Sequence, residues 1–281
     1  VAVGFDKHPR GAFSADPSVL GLPAWYAETG MFLTTHFFGM KINRYMHEYG
    51  ITPMTLARVA AKNFRNGELN ERAWRRTPMS EEDILAAPYL NYPLTRFMYC
   101  APDEGAAAVV LCRADKAREY QSQPIRLAAS LLRTRTDGAF EVQCPSLPAT
   151  GAPSPTVAAS LAAYELAGVS PSDVGVAQLQ DTDAGSEVIH MAENGFCADG
   201  DQEKLIADGH TEIGGSLPVN TDGGLIANGE PIGASVLRQI HEVVLQMRGQ
   251  AGNRQIAVPP RVGYTHLYGS PGTGAVSILI R

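Results

Sequence analysis

Three side chains near the end of the chain pose the first chemical question. Tyr264, His266 and Tyr268 alternate along residues 262–268. On a strand, residues two apart share a face, so all three could line one pocket. A phenol, with a reference pKa of about 10, is an acid as it stands and a base only where its surroundings depress that value. His266, between the two, could tune them or relay a proton. Asp181 and Glu230 are further polar candidates. Cys100, Cys112, Cys144 and Cys197 form no C-x-x-C pair, and no histidine stands at zinc-finger spacing from them. They are expected to be reduced, mostly buried thiols. His190 and His210 are read as helix or surface residues without a role.

The elements that must position these groups read as strands alternating with helices. Residues 1–5 form a short apolar strand, and 6–16 a polar turn region. Residues 23–46, rich in aromatics and methionine, and 55–64 carry apolar side chains at the three and four spacings of amphipathic helices. Asn66-Gly67 reads as a break. Ser80 followed by Glu81, Glu82 and Asp83 reads as a helix N-cap with an acidic first turn. A turn from Pro102 to Gly105 leads into a buried strand at 106–112. In the second half, 125–136, 174–179, 262–266 and 275–280 read as strands. Residues 157–166, 186–194 and 234–248 read as helices, with a loop at 145–155 and a long glycine-rich loop at 214–233. This is an α/β chain.

Composition narrows the function classes. The 281 residues are 44% hydrophobic and 19% charged, enough for a substantial core and unlike a disordered chain. A net charge of −6 is not the basic footprint of a nucleic-acid binder. No stretch approaches the roughly 20 apolar residues of a membrane span. There is no signal-peptide pattern, so a cytoplasmic protein is expected. The opening in mid-strand suggests that an N-terminal portion lies outside this chain.

Three stretches resemble the thiolase superfamily, most closely its lipid-transfer-protein branch of sterol-carrier thiolases and their relatives. The most specific is Asn220-Thr-Asp-Gly-Gly-Leu-Ile-Ala-Asn-Gly-Glu-Pro-Ile-Gly-Ala-Ser235, similar to the family's glycine-rich loop and the helix after it. The others are residues 97–111 and the C-terminal pair from Val262. The resemblance implies a thiolase fold: two similar halves of mixed five-stranded sheets layered with helices (αβαβα), with a helical loop domain inserted in the first half. Residues 1–120 would be the remainder of the first half, with the insertion at about 17–95. Residues 121–281 would be the second half. The family's nucleophilic cysteine would fall outside this chain.

The departures from the family carry the functional expectation. The family's Gly-His-Pro is here Gly229-Glu230-Pro231. The sterol-carrier His-Asp is Gln180-Asp181, and the turn 264–274 has no cysteine. An ionised Glu230 would repel a thiolate and could not donate to an oxyanion. This pattern is similar to the thiolase-like aldolases of steroid side-chain degradation. It implies retro-aldol cleavage of a 17-hydroxy steroid side-chain β-hydroxyacyl-CoA to a 17-ketosteroid and propionyl-CoA. That step needs a base for the alcohol proton, donors for the enolate and an acid for its carbon. It needs no cofactor, CoA being part of the substrate.

Tyr264, Tyr268, His266, Asp181 and Glu230 are the catalytic candidates. Gly223, Gly224, Gly233, Ala234 and Ser235 would let a pantetheine arm approach the backbone. Lys62, Arg72, Arg75 and Arg76 could meet CoA phosphates, and the aromatic segment 25–46 could wall a sterol pocket or be lid core. A homodimer is implied by resemblance, as is a complex with a hydratase subunit bearing a zinc-containing OB-like domain. The alternatives are a β-ketoacyl-CoA thiolase and a non-catalytic lipid-binding or scaffold subunit.

Overall fold

The computed structural model describes residues 1–7, 17–20, 23–28, 34–101, 103–136, 139, 141, 153–270 and 272–281. Met31, Phe32, Pro102, Cys144, most of the turn region 6–16 and most of the loop 145–155 lie outside them. In chain order the first half holds β1 (Ala2–Lys7), α1 (Trp25–Glu28), α2 (Thr34–Tyr49), α3 (Pro53–Glu68), α4 (Glu81–Ala86), β2 (Tyr89–Asn91), β3 (Leu94–Thr95), β4 (Glu104–Val109) and α5 (Ala117–Tyr120). The second holds β5 (Arg126–Thr134), α6 (Pro155–Ala167), β6 (Val176–Gln178), α7 (Ala184–Glu193), α8 (Gln202–Ala207), α9 (Gly224–Asn228), α10 (Ser235–Arg248), β7 (Val262–Gly269) and β8 (Thr273–Ile280).

The sheet of the second half runs β5-β8-β7-β6, with β5–β8 and β8–β7 antiparallel and β7–β6 parallel. Val219 makes a one-residue parallel bridge to Ala177, extending the sheet beyond β6. That single bridge occupies the place of a fifth strand. Opposite faces of β7 take different partners, as alternation requires. Gly263 faces α10, where an added Cβ would lie 2.2 Å from Val243. Tyr264 faces α6 and stacks on Tyr164. α10 also packs against β1 and β4, so it forms a helical layer between the small β1–β4 sheet and the larger one.

Local sequence explains the ends of the positioning helices. α6 begins at Ser154, whose hydroxyl accepts from Val157 N at 3.2 Å, with Pro155 in the first turn. It ends at Gly168 with φ +68. α7 begins at Asp183, whose carboxylate accepts from Ser186 N and Ser186 Oγ. Ser80 caps α4 as expected.

Three expectations are corrected. Asn66-Gly67 is no break: both residues lie inside α3. Glycine is required at position 67 by packing, since a Cβ there would stand 2.6 Å from the Ala227 side chain. The glycine-rich loop 214–233 contains a helix, α9, because the carboxylate of Asp181 accepts from its first-turn amides. The thiols are not mostly buried: Cys100 is buried, Cys197 is partly so and Cys112 is exposed.

Candidate active site

The C-terminal trio lies on one face of β7, and all three side chains are buried. Tyr264 is fully buried, its hydroxyl donating to Asn194 Oδ1 at 2.7 Å and lying 2.9 Å from Ser160 Oγ. Burial raises its phenol above the ordinary value. His266 is also fully buried. Its Nε2 lies 3.0 Å from Thr156 Oγ1, while its Nδ1 has no hydrogen-bond partner among the described residues. Tyr268, nearest the turn, donates to Glu141 Oε2. Lys41 stands 5.2 Å from its ring centroid.

A histidine that sequence reasoning passed over organises this layer. The His190 ring packs edge-on to His266 at 4.5 Å and lies 5.8 Å from Tyr268. Its Nδ1 is 2.8 Å from the carbonyl oxygen of Gln180. A carbonyl only accepts, so Nδ1 carries the hydrogen. Burial, with Lys41 nearby, pulls the His190 pKa down to about 3. Burial also drives His266 well below the usual histidine value. Both imidazoles are therefore neutral at physiological pH.

Gln180 links this layer to a second cluster. Its side-chain amide donates to Glu230 Oε1 at 2.5 Å, and Cys100 Sγ donates to Glu230 Oε2 at 3.3 Å. Backbone pairing fixes the geometry: Cys100 N donates to Thr182 O, and Glu230 N donates to Ala101 O. Burial lifts the Glu230 carboxyl to about 7, against the lowering effect of those two donors. Near neutrality it is thus partly protonated, and in that form it can donate a hydrogen bond or a proton. Burial and the Glu230 charge push the Cys100 thiol well up. A thiol held protonated is a poor nucleophile.

The remaining candidates are engaged within the protein. Adjacent residues on extended backbone point opposite ways, and Asp181 turns from Gln180 towards α3 and α9. Its carboxylate accepts from Leu225 N at 2.6 Å, Ile226 N at 3.2 Å and Asn63 Nδ2 at 2.9 Å. Its charge still acts on Cys100, the thiol that donates to Glu230. Gly224, at φ +58, is required by Asp181 itself, whose Oδ2 would lie 2.1 Å from an added Cβ. Gly223, at φ +99, faces Ala227 and Asn63 O in the same way, and Gly233 faces Phe5 O of β1. Ala234 is buried, and Ser235 Oγ donates to Pro231 O. The close approaches at these glycines are made by the protein's own atoms.

Lys62 is buried against Glu187 and cannot reach a phosphate, which corrects that expectation. Arg75 is committed to the carbonyls of Tyr99 and Ile226. Arg72 does line a polar pocket of about 340 Å³, together with Arg238, His241 and Arg254.

A less polar pocket of about 500 Å³ reaches Lys41 and Glu141, the two side chains that contact the buried Tyr268. Met40, Tyr45, Tyr49, Val157 and Ile189 line it, and Lys41, Glu141 and Glu193 supply charge. α2 thus contributes to both pocket wall and core, with Phe37, Phe38 and Ile42 buried. Among the described residues, no group of three or more His, Cys, Asp or Glu could hold a metal ion. Among them, too, no helix is long and apolar enough to cross a membrane.

Layered sheets and helices, with a glycine-rich loop ahead of a central helix, define a class that comparison makes explicit. Residues 146–281 match the thiolase C-terminal domain-like family, and the chain belongs to the thiolase superfamily. It is 35% identical over 259 residues to an acetyl-CoA acetyltransferase of Methanothermobacter thermautotrophicus, covering 92% of this chain and 66% of the relative. It is 30% identical over 232 residues to a steroid side-chain-cleaving aldolase of Thermomonospora curvata, covering 82% and 58%. The solved Ltp2-ChsH2(DUF35) aldolase superposes with a TM-score of 0.81 at 27% identity, covering 96% of this chain and 68% of that one. The chain therefore spans between 58% and 66% of these two curated relatives' length.

Proposed function

We propose that this chain carries the acid–base part of an acyl-CoA carbon–carbon lyase: retro-aldol cleavage of a 17-hydroxy steroid side-chain β-hydroxyacyl-CoA to a 17-ketosteroid and propionyl-CoA. The observation that carries the reading is Glu230. It stands at the histidine position of the Gly-His-Pro that the superfamily's glycine-rich loop carries, and burial holds it near pKa 7 between an amide and a protonated thiol. Such a group suits proton transfer at neutral pH. A carboxyl there is a poor companion for a thiolate, which it repels when ionised.

In this reading Tyr268 takes the proton of the substrate alcohol. The C–O electron pair closes to a ketone as the C–C bond breaks, and the released pair forms the thioester enolate. Protonated Glu230 then supplies the proton to the enolate carbon, while Gln180 orients that carboxyl. Tyr264, His266 and Asp181 support the site from behind. The apolar wall of α2 suits a broad, rigid hydrocarbon. Two relatives favour a lyase: the Thermomonospora curvata aldolase and the Ltp2-ChsH2(DUF35) aldolase. The latter's name also motivates a DUF35-type partner for this chain, beside a homodimer of the chain itself. In the same reading, residues 1–120 are the remainder of the first thiolase half and residues 121–281 the second.

The acetyl-CoA acetyltransferase at 35% identity favours a second reading, thiolysis of a β-ketoacyl-CoA. One assay separates the two. Incubation with the 17-hydroxy steroid side-chain CoA thioester and no free CoA should release 17-ketosteroid and propionyl-CoA. Absence of that product, with cleavage of a 3-ketoacyl-CoA once CoA is added, would establish the thiolase.

A further inference from the structure

A phenol poses a problem as a base, because its own proton must leave before or as it takes another. At Tyr268 the structure supplies a destination. The Tyr268 hydroxyl donates to Oε2 of Glu141, a side chain that is 3% exposed. Glu141 is contributed from outside the named strands and helices, and the turn between β7 and β8 packs against it. Gly272, at φ +99, leaves the room: an added Cβ would stand 2.6 Å from Glu141 Cγ.

The charges that face this pair come from several elements. Lys41 of α2 lies over the Tyr268 ring and pairs with Glu193 of α7 at 3.6 Å. Burial raises the Glu141 carboxyl above the ordinary range and Glu193 adds to that, while Lys41, the Tyr268 hydrogen bond and Arg135, just past β5, pull it back towards the ionised form. The neutral His190 ring closes the far side. Glu141 and Lys41 also line the pocket of about 500 Å³, which gives the carboxyl a route to exchange protons with solvent.

We propose that Glu141 is the positioning residue and proton acceptor for Tyr268, so that Tyr268 and Glu141 act as a relay. This inference rests on the lyase reading of Tyr268. As the substrate alcohol's proton moves to the phenol oxygen, the phenol's own proton moves to the Glu141 carboxylate. The phenol ends neutral, Glu141 ends protonated, and the alkoxide pair collapses to the ketone with C–C cleavage. The enolate carbon takes its proton from Glu230. Exchange with water through the pocket then deprotonates Glu141 and reprotonates Glu230, so no net proton is consumed.

The test compares Glu141→Gln, Glu141→Asp and Tyr268→Phe in the CoA-free cleavage assay across pH. Glutamine accepts the phenol hydrogen bond but no proton. The relay predicts that Glu141→Gln lowers kcat by on the order of 100-fold or more with KM little changed. It also predicts loss of the acid limb of the kcat profile, with partial rescue by Glu141→Asp. A Glu141→Gln enzyme with wild-type kcat and an intact acid limb, beside an inactive Tyr268→Phe, would overturn the relay and leave the lyase reading standing. An active Tyr268→Phe would overturn both. Thermal unfolding of each variant separates a loss of fold, to which the pH limb is indifferent, from a loss of proton transfer.

Discussion

A carboxyl in place of an imidazole matters because of what each can donate. The imidazoles of this layer, His190 and His266, are neutral and buried, so in the proposed lyase general acid chemistry near pH 7 falls to Glu230, with its value of about 7. The working form is the protonated one, so activity should fall as pH rises through about 7. Glu230→Gln should lower kcat by roughly 100-fold or more and remove that alkaline limb, as read in a pH–rate profile. Tyr264 is different. Its hydroxyl is spent on Asn194 and Ser160 in the core. Tyr264→Phe should leave kcat within twofold and cost about 1 kcal/mol of stability, measured by denaturant unfolding. The strand alternation that places 264, 266 and 268 on one face is legible in the sequence. Their burial is not, because it depends on α6 and α7 closing over the strand. Cys100 was invisible as a neighbour of Glu230 because the two lie 130 residues apart.

The elements do their positioning through short, specific contacts. The break read at Asn66-Gly67 rests on local propensity, and tertiary packing overrides it. Gly67 is there so that α3 can approach Ala227 of α9. The same holds for Gly223 and Gly224, whose chain conformation is legible as glycine-dependent but whose purpose is to seat α9 on Asp181. Gly224→Ala should therefore act on stability, with left-handed strain of roughly 1–2 kcal/mol added to the clash with Asp181. A lowered unfolding midpoint would register it. The caps of α4, α6 and α7 were within reach of sequence rules, although only that of α4 is plain from its serine and acidic turn. The fold class was legible in the glycine-rich stretch, while the reduction of the fifth strand to one bridge was not, since register is a long-range property.

Across the whole molecule, buried charge ties the layers together. Lys62 of α3, Glu187 of α7 and Asn220 form one network with Asn63 and Asp181. Lys62→Met leaves Glu187 buried without its cation and should cost about 3–5 kcal/mol, seen as a lowered unfolding midpoint. The buried histidines also make folding sensitive to acid. A histidine with a depressed folded pKa stays neutral while its unfolded counterpart binds a proton. Stability is therefore lost as pH falls from about 6.5 towards the folded value of about 3 for His190. Glu230 and Asp183, raised to about 7 and about 6, bind protons in the folded state and oppose that loss. His190→Gln should flatten the acid side of the stability curve, measured as the unfolding midpoint from pH 7 to pH 4.

The central claim is that a carbon–carbon bond is broken by acid–base chemistry, with no acyl transfer to CoA. The most direct measurement is cleavage of the 17-hydroxy steroid side-chain CoA thioester in heavy water without free CoA, followed by mass spectrometry of the acyl-CoA product. The account predicts propionyl-CoA carrying one deuterium at its α-carbon, delivered to the enolate from an exchangeable carboxyl. Product that forms only when free CoA is added would contradict it.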